Sequence, residues 1–287
     1  MSPSRTRLTP LRVTARSQLL LASTLVAFAV SLIDAGTAPA ATLPTISVAV
    51  TPTSVTVGGT LQSGGVNVVS TATGVKEAGV QLVLLKPGVS AAELYTYLES
   101  KHKKDINESS KFGSIVFSTE VESGHPSDVQ TNLQPGQYVA LVTQGEGPPK
   151  VRSSFTVLAA KSPASLPTPQ AVLRAIDFGF LGPTTLHNGE LVGVENEGWT
   201  VHMDLALKVK NLKAAKQLVK LFGAGNKQAF KLVTGGFSLS GAVSHGAYQQ
   251  LTINAKPGIY VQVCFMETQD KRDHTRLGME RIIKVVK

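Results

Sequence analysis

The sequence predicts an all-β protein made of two tandem Greek-key β-sandwich domains, each with one short inserted helix. Three observations predict it. Short β-branched runs alternate with glycine, proline and asparagine clusters along most of the chain, the pattern of strands and turns. The two halves repeat each other at a spacing near 120 residues, which suits a domain and is too long for a solenoid unit. Each half also carries one Pro-Gly-x-Tyr corner, Pro135-Gly136-Gln137-Tyr138 and Pro257-Gly258-Ile259-Tyr260.

In chain order, the first forty residues read as an export signal rather than as part of the fold. Arg5, Arg7, Arg12 and Arg16 precede an apolar run from Leu19 to Ile33, and Ala38-Pro39-Ala40-Ala41 offers a small-residue cleavage site after Ala40. That run falls short of the about 20 residues a membrane-spanning helix needs. No cysteine stands near the cleavage site to take a lipid. Residues 1–40 are therefore expected to be a signal peptide, and the mature chain to be secreted or otherwise extracytoplasmic, with no transmembrane segment. An uncleaved anchor is the alternative. Cleavage removes four arginines and one aspartate, so the net charge falls from +9 to +6. So modest a charge, on an exported chain, argues against nucleic acid as a partner. The lysine clusters at 101–104 and 208–220 read as solvated faces.

The first domain is expected over residues 44–157. Ile46, Val48 and Val50, then Val55 and Val57, alternate between glycines that suit turns. Ser90-Ala91-Ala92-Glu93 has capping-box spacing, with Leu94 and Leu98 on one face of the helix it opens. Residues 158–171, with Pro163, Pro167 and Pro169 among alanine and serine, are expected to form a linker. The second domain is expected over 172–287. Its strands begin at Ala175-Ile176-Asp177-Phe178, and Leu212, Val219 and Phe222 share one face of its helix. The duplication shows residue by residue. Gly58, Thr60, Gly65, Val68 and Gly74 recur 124 positions later as Gly182, Thr184, Gly189, Val192 and Gly198. Asn132, Pro135, Gly136, Tyr138 and Val139 recur 122 positions later as Asn254, Pro257, Gly258, Tyr260 and Val261.

The corner tyrosines are expected to bury their rings and to donate a hydroxyl hydrogen bond back to the corner. Four residues beyond Tyr260 stands Cys264, the only cysteine in the chain; Val142 takes the matching place in the first half. A lone thiol outside the cell is open to oxidation and mispairing unless it is buried or ligated. Here the second half resembles the cupredoxin family, the small blue-copper sandwiches. Pro257-Gly258-x-Tyr260-x-x-x-Cys264 is similar to the family's delivery of its cysteine, with His274 ten residues on and Met279 after it. Glu195-Asn196-Glu197-Gly198-Trp199-Thr200-Val201-His202 is similar to the strand and turn that supply the first histidine.

The resemblance implies a mononuclear type 1 copper held by His202, Cys264 and His274, with Met279 as a weak axial ligand. It also implies electron transfer with a redox partner protein that the sequence does not name, rather than an enzyme. The first half resembles the same fold without the ligands. Such donors suit a metal cycling between Cu(I), which favours sulfur, and Cu(II), which favours imidazole. Val263 and Phe265 flank the cysteine where multicopper oxidases need histidines. The spacing to His274 is longer than in the smallest members, and Met203 stands where asparagine often follows the first histidine. Zinc is a second candidate metal. The sequence leaves open a second class of function, a copper-free extracellular binding or structural protein built on the same sandwich. Copper storage or delivery is a third.

Overall fold

The computed structural model describes residues 42–100, 105–144 and 149–287; the expected signal peptide and the cluster at 101–104 lie outside them. The first half runs β1 (Thr45–Val50), β2 (Val55–Gly59), β3 (Gly64–Ala72), β4 (Glu77–Leu85), α1 (Ala91–Glu99), β5 (Gly113–Glu122), β6 (Ser127–Leu133), β7 (Gly136–Thr143) and β8 (Val151–Val157). The second runs β9 (Ala171–Ile176), β10 (Gly179–Leu181), β11 (Thr185–His187), β12 (Leu191–Asn196), β13 (His202–Val209) and α2 (Leu212–Gly223). It continues with β14 (Val233–Val243), β15 (Tyr248–Thr252), β16 (Gly258–Val263) and β17 (Glu280–Val286).

The expected all-β, two-sandwich architecture is what the strand pairing builds. In each half the first strand lies parallel to a later one, β1 on β3 and β9 on β12. In each half, too, the strand before the helix is flanked by the one after it and by the one behind the tyrosine corner: β4 by β5 and β7, β13 by β14 and β16. In the second half the chain leaves β9 through β10, then crosses to the opposite sheet, where β11 runs parallel to β17. The two copies therefore share a topology as well as scattered identities.

Side-chain alternation aims one face of each strand at the core. Ile46, Val48 and Val50 point inward from β1 while their neighbours face solvent. The first core gathers Val66, Val68, Leu82, Phe117 and Tyr138; the second gathers Leu173, Leu186, Leu239, Tyr260 and Ile283. Strands β7 and β16 do not alternate, because a helix covers their outer face as well. Leu94 of α1 packs on Val83, Ile115 and Val139, and Ala215, Leu218 and Phe222 of α2 pack on Val209, Val261 and Val263. The Ser90–Glu93 capping box forms as expected. Phe222 and Val219 of α2 pack on the core as expected, joined by Ala215 and Leu218, whereas Leu212 at the start of the helix is 49% exposed. Each helix is also followed by a 3-10 turn, at Ile106–Lys111 and Lys227–Leu232, which the expectation of one helix per half omits.

The two halves share one sheet. Strand β15 pairs with β6 through Gln249–Thr131 and Gln250–Gln130, giving eight strands in the order β10-β9-β12-β15-β6-β3-β1-β2. The seam is polar but paired. Gln250 Nε2 donates to Gln130 Oε1 at 2.7 Å and to Pro167 O at 3.0 Å, and Thr131 Oγ1 donates to Tyr248 O at 2.7 Å. Residues 158–171 pack along this seam. Gly65 N donates to Ala164 O, and a Cβ on Gly65 would lie 2.9 Å from Leu166 N, so glycine is what allows the close approach. No helix among the described residues is long and apolar enough to cross a membrane.

Both corner tyrosines make the expected bond: Tyr138 Oη donates to Gln134 O at 2.9 Å, and Tyr260 Oη to Lys256 O at 2.7 Å. Replacing either by phenylalanine removes one hydrogen bond without opening a cavity. Each change is expected to lower stability by about 1 kcal/mol, read as a lower urea midpoint with an unchanged slope.

Candidate metal centre

The four residues singled out in the sequence come to one end of the second sandwich. His202 opens β13, Cys264 follows the last residue of β16, His274 starts a short 3-10 turn (His274–Leu277), and Met279 stands just before β17. The loop between Cys264 and His274 folds back on itself. His274 N donates to Met266 O, Glu267 bridges to Asp273, and Gly278 at φ +93 ends the 3-10 turn, so the chain re-enters the sheet at Met279.

The donor atoms converge. Cys264 Sγ lies 3.4 Å from His274 Nδ1 and 3.7 Å from His202 Nδ1, and the two Nδ1 atoms are 3.2 Å apart. Three donors bound at about 2.0–2.3 Å to one ion sit about 3.3–3.8 Å from each other, so this triangle has the right size for a shared ion. Cys264, His274 and Met279 are fully buried and His202 is 1% exposed. Met279 packs in one apolar cluster with Cys264, Ala175 and Phe180. Among the described residues this is the group of histidine, cysteine and acidic side chains whose ligand atoms meet within 4.8 Å.

The surroundings fix which nitrogen faces the centre. Asp177 Oδ1 is 3.3 Å from His202 Nε2 and accepts from Thr200 N at 3.2 Å and Thr200 Oγ1 at 3.1 Å. Partial burial works against this carboxylate, but donation from Thr200, Trp199 and the His202 ring outweighs it and holds its pKa below the usual range. An ionised acceptor at Nε2 keeps the proton there and leaves the Nδ1 lone pair aimed at Cys264. Gly198 makes the approach possible, since a Cβ there would lie 2.5 Å from His202 Nε2. Asn196 braces the same turn by donating to Thr200 O and Val243 O. From the first half, Asn107 Oδ1 accepts from Val201 N at 2.7 Å, beside His202.

Burial sets the charge states. It pushes the Cys264 thiol up to about 12; N–H groups of Met203 and Met266 directed at the sulfur pull the other way, and nearby Asp204 adds to the rise. Burial and neighbouring His274 push His202 down to about 4, against the support of Asp177. His274 is also lowered, by burial, with Asp177 and Asp273 opposing. At neutral pH the chain alone thus presents a thiol and two neutral imidazoles. A thiolate in this place needs a cation beside it. Met203 N donates to Cys264 Sγ at 3.4 Å.

No family model matches the chain, and no curated protein sequence matches it. Solved structures similar to it include auracyanin B, 16% identical over 42% of this chain and 93% of that one, with a TM-score of 0.27. A dithionite-reduced auracyanin from Roseiflexus castenholzii is 14% identical over 40% of this chain and 95% of its own, with a TM-score of 0.25. A copper-containing nitrite reductase from Thermus scotoductus is 12% identical over 85% of this chain and 67% of its own, with a TM-score of 0.26. Likeness at such scores carries no argument; the fold and the site stand on the strand pairing and the distances above.

The sequence misses the residues around the donors. Asp177 and Phe178, read as strand, are the turn between β9 and β10, and an aspartate inside an apolar run was the available signal for a turn. Asn107 and Thr200 left no signal.

Because both imidazoles are already unprotonated at pH 7 and the thiol is protonated, a divalent ion taken up by the full chain is expected to displace about one proton. Affinity should then rise about tenfold per pH unit through the neutral range, and fall more steeply on acidification toward pH 4 as His202 takes up a proton. Calorimetric titration in buffers of different ionisation enthalpy counts the protons. A count of zero, or of two or more at pH 7, contradicts the assignment.

Proposed function

We propose that the protein is an exported electron-transfer protein that holds one mononuclear type 1 copper ion at His202, Cys264 and His274, with Met279 as the weak axial ligand. The observation that carries this reading is the buried triangle of one sulfur and two Nδ1 atoms with sides of 3.2, 3.4 and 3.7 Å. The donor set favours copper over zinc: a thiolate, two imidazoles and a thioether suit both copper oxidation states, whereas zinc prefers water or a harder fourth ligand. When bound, the ion supplies a one-electron couple.

The chain's own residues do the rest. Asp177 and Thr200 hold His202 in one tautomer, and Met203 N–H steadies the sulfur. Strands β13 and β16, paired from Leu205–Val263 to Val209–Ile259, fix the separation of His202 and Cys264. Donors held at buried strand ends and by a hydrogen-bonded turn move little when charge changes, which favours fast transfer. Full burial leaves no open face for a substrate, which favours transfer over catalysis. The arginine-led apolar run at residues 1–40 supports export.

Copper(II) added to the purified chain is expected to give one tightly held ion and an intense blue colour. Cys264→Ala should abolish the colour, and Met279→Leu should keep it while raising the reduction potential. Emission from Trp199, the single tryptophan, three residues before His202, should fall as the site fills. A colourless wild type without stoichiometric copper leaves the copper-free binding or structural reading.

A further inference from the structure

We infer that Phe178 closes the metal centre to water and small ligands, so that electrons pass but exogenous ligands do not. This rests on the functional reading above for what fills the centre; the closure itself is a property of the chain.

Gly179 pairs with Ile176, so Asp177 and Phe178 make up the whole turn between β9 and β10. The turn addresses both imidazoles. Asp177 takes the outward nitrogen of His202, and the Phe178 ring stands edge-on to His274, with centroids 5.1 Å apart at 84°. His274 is fully buried, and its Nε2 has no hydrogen-bond partner among the described residues. A ring edge left open to solvent would find water for that nitrogen. Here water is shut out and the nitrogen goes unpaired, a cost that a native structure carries for a reason.

The backbone carries a second cost at the same residue. Phe178 sits at φ +62, in the left-handed region, where an aromatic residue is an outlier and glycine or asparagine would sit without strain. The turn alone therefore has no need of a phenyl ring. What the ring adds is cover over His274, and the strained backbone is what aims it there. Two unfavourable features at one position, both relieved by a small residue, point to selection for the cover.

The test begins with the metal-free full chain treated with diethyl pyrocarbonate, which modifies accessible neutral imidazoles, with peptide mass spectrometry as the readout. In the wild type, exposed His125 and His187 should react at least about tenfold faster than His274. In Phe178→Gly, which adopts the turn without strain, His274 should approach their rate under conditions where a urea titration shows the variant fully folded. Phe178→Asn, which also tolerates this φ, should behave alike, whereas Phe178→Trp should keep His274 protected. Reactive His274 in the wild type, or protected His274 in both small variants, overturns the inference. With copper loaded, azide should alter the visible spectrum of Phe178→Gly and leave the wild type unchanged; an azide response in the wild type also overturns it. If no copper binds, the functional reading fails while the imidazole-modification result still decides whether Phe178 is the cover.

Discussion

The centre depends on one constraint: a sulfur and two imidazole nitrogens, from three separate segments, must meet where water is absent. Apart from a metal, little rewards such a meeting. Two neutral imidazoles and a thiol can share few hydrogen bonds, and burial holds each in its uncharged form. The sandwich supplies the rigidity that keeps them together. Strand β16 is buried on both faces, between the core and α2, so Cys264 at its end has little freedom. The 3-10 turn and Gly278 then return His274 and Met279 to the same end of the sheet.

Around that cluster the chain uses polar groups to orient the donors. Asp177 is partly exposed and ionised, and its place is on the far nitrogen of His202, where it sets the tautomer without competing for the centre. The first half contributes as well. Asn107 holds the N–H of Val201, and Ser244 N donates to Ile115 O while its hydroxyl accepts from Ile115 N. The half without ligands thus braces the half that has them, which a free spacer would not do. The shared eight-stranded sheet carries that brace through paired, buried glutamines.

Much of this was legible in the sequence where a pattern is local. The capping box at Ser90 and the two tyrosine corners follow from spacing along the chain, and each forms. The set of His202, Cys264, His274 and Met279 came from the family resemblance, and the structure brings the cysteine and both histidines together in one buried group. What the sequence could not show depends on segments that meet only in three dimensions. Asp177 reaches His202 across twenty-five residues, and Asn107 reaches Val201 across ninety-four. The proline-rich stretch at 158–171 has the composition of a free linker, yet Gly64 and Gly65 leave room for it to lie on β3. On α2, Val219 and Phe222 pack as read, but Leu212 lies at the helix start and stays exposed, because apolar character alone does not show where a helix leaves the core.

The most direct measurement of the central claim is the anomalous difference map of a crystal soaked in copper, collected at the copper edge. A single strong peak bonded to the sulfur of Cys264 and to Nδ1 of both His202 and His274 is the predicted result. Copper held elsewhere, or at the histidines without the sulfur, would contradict it.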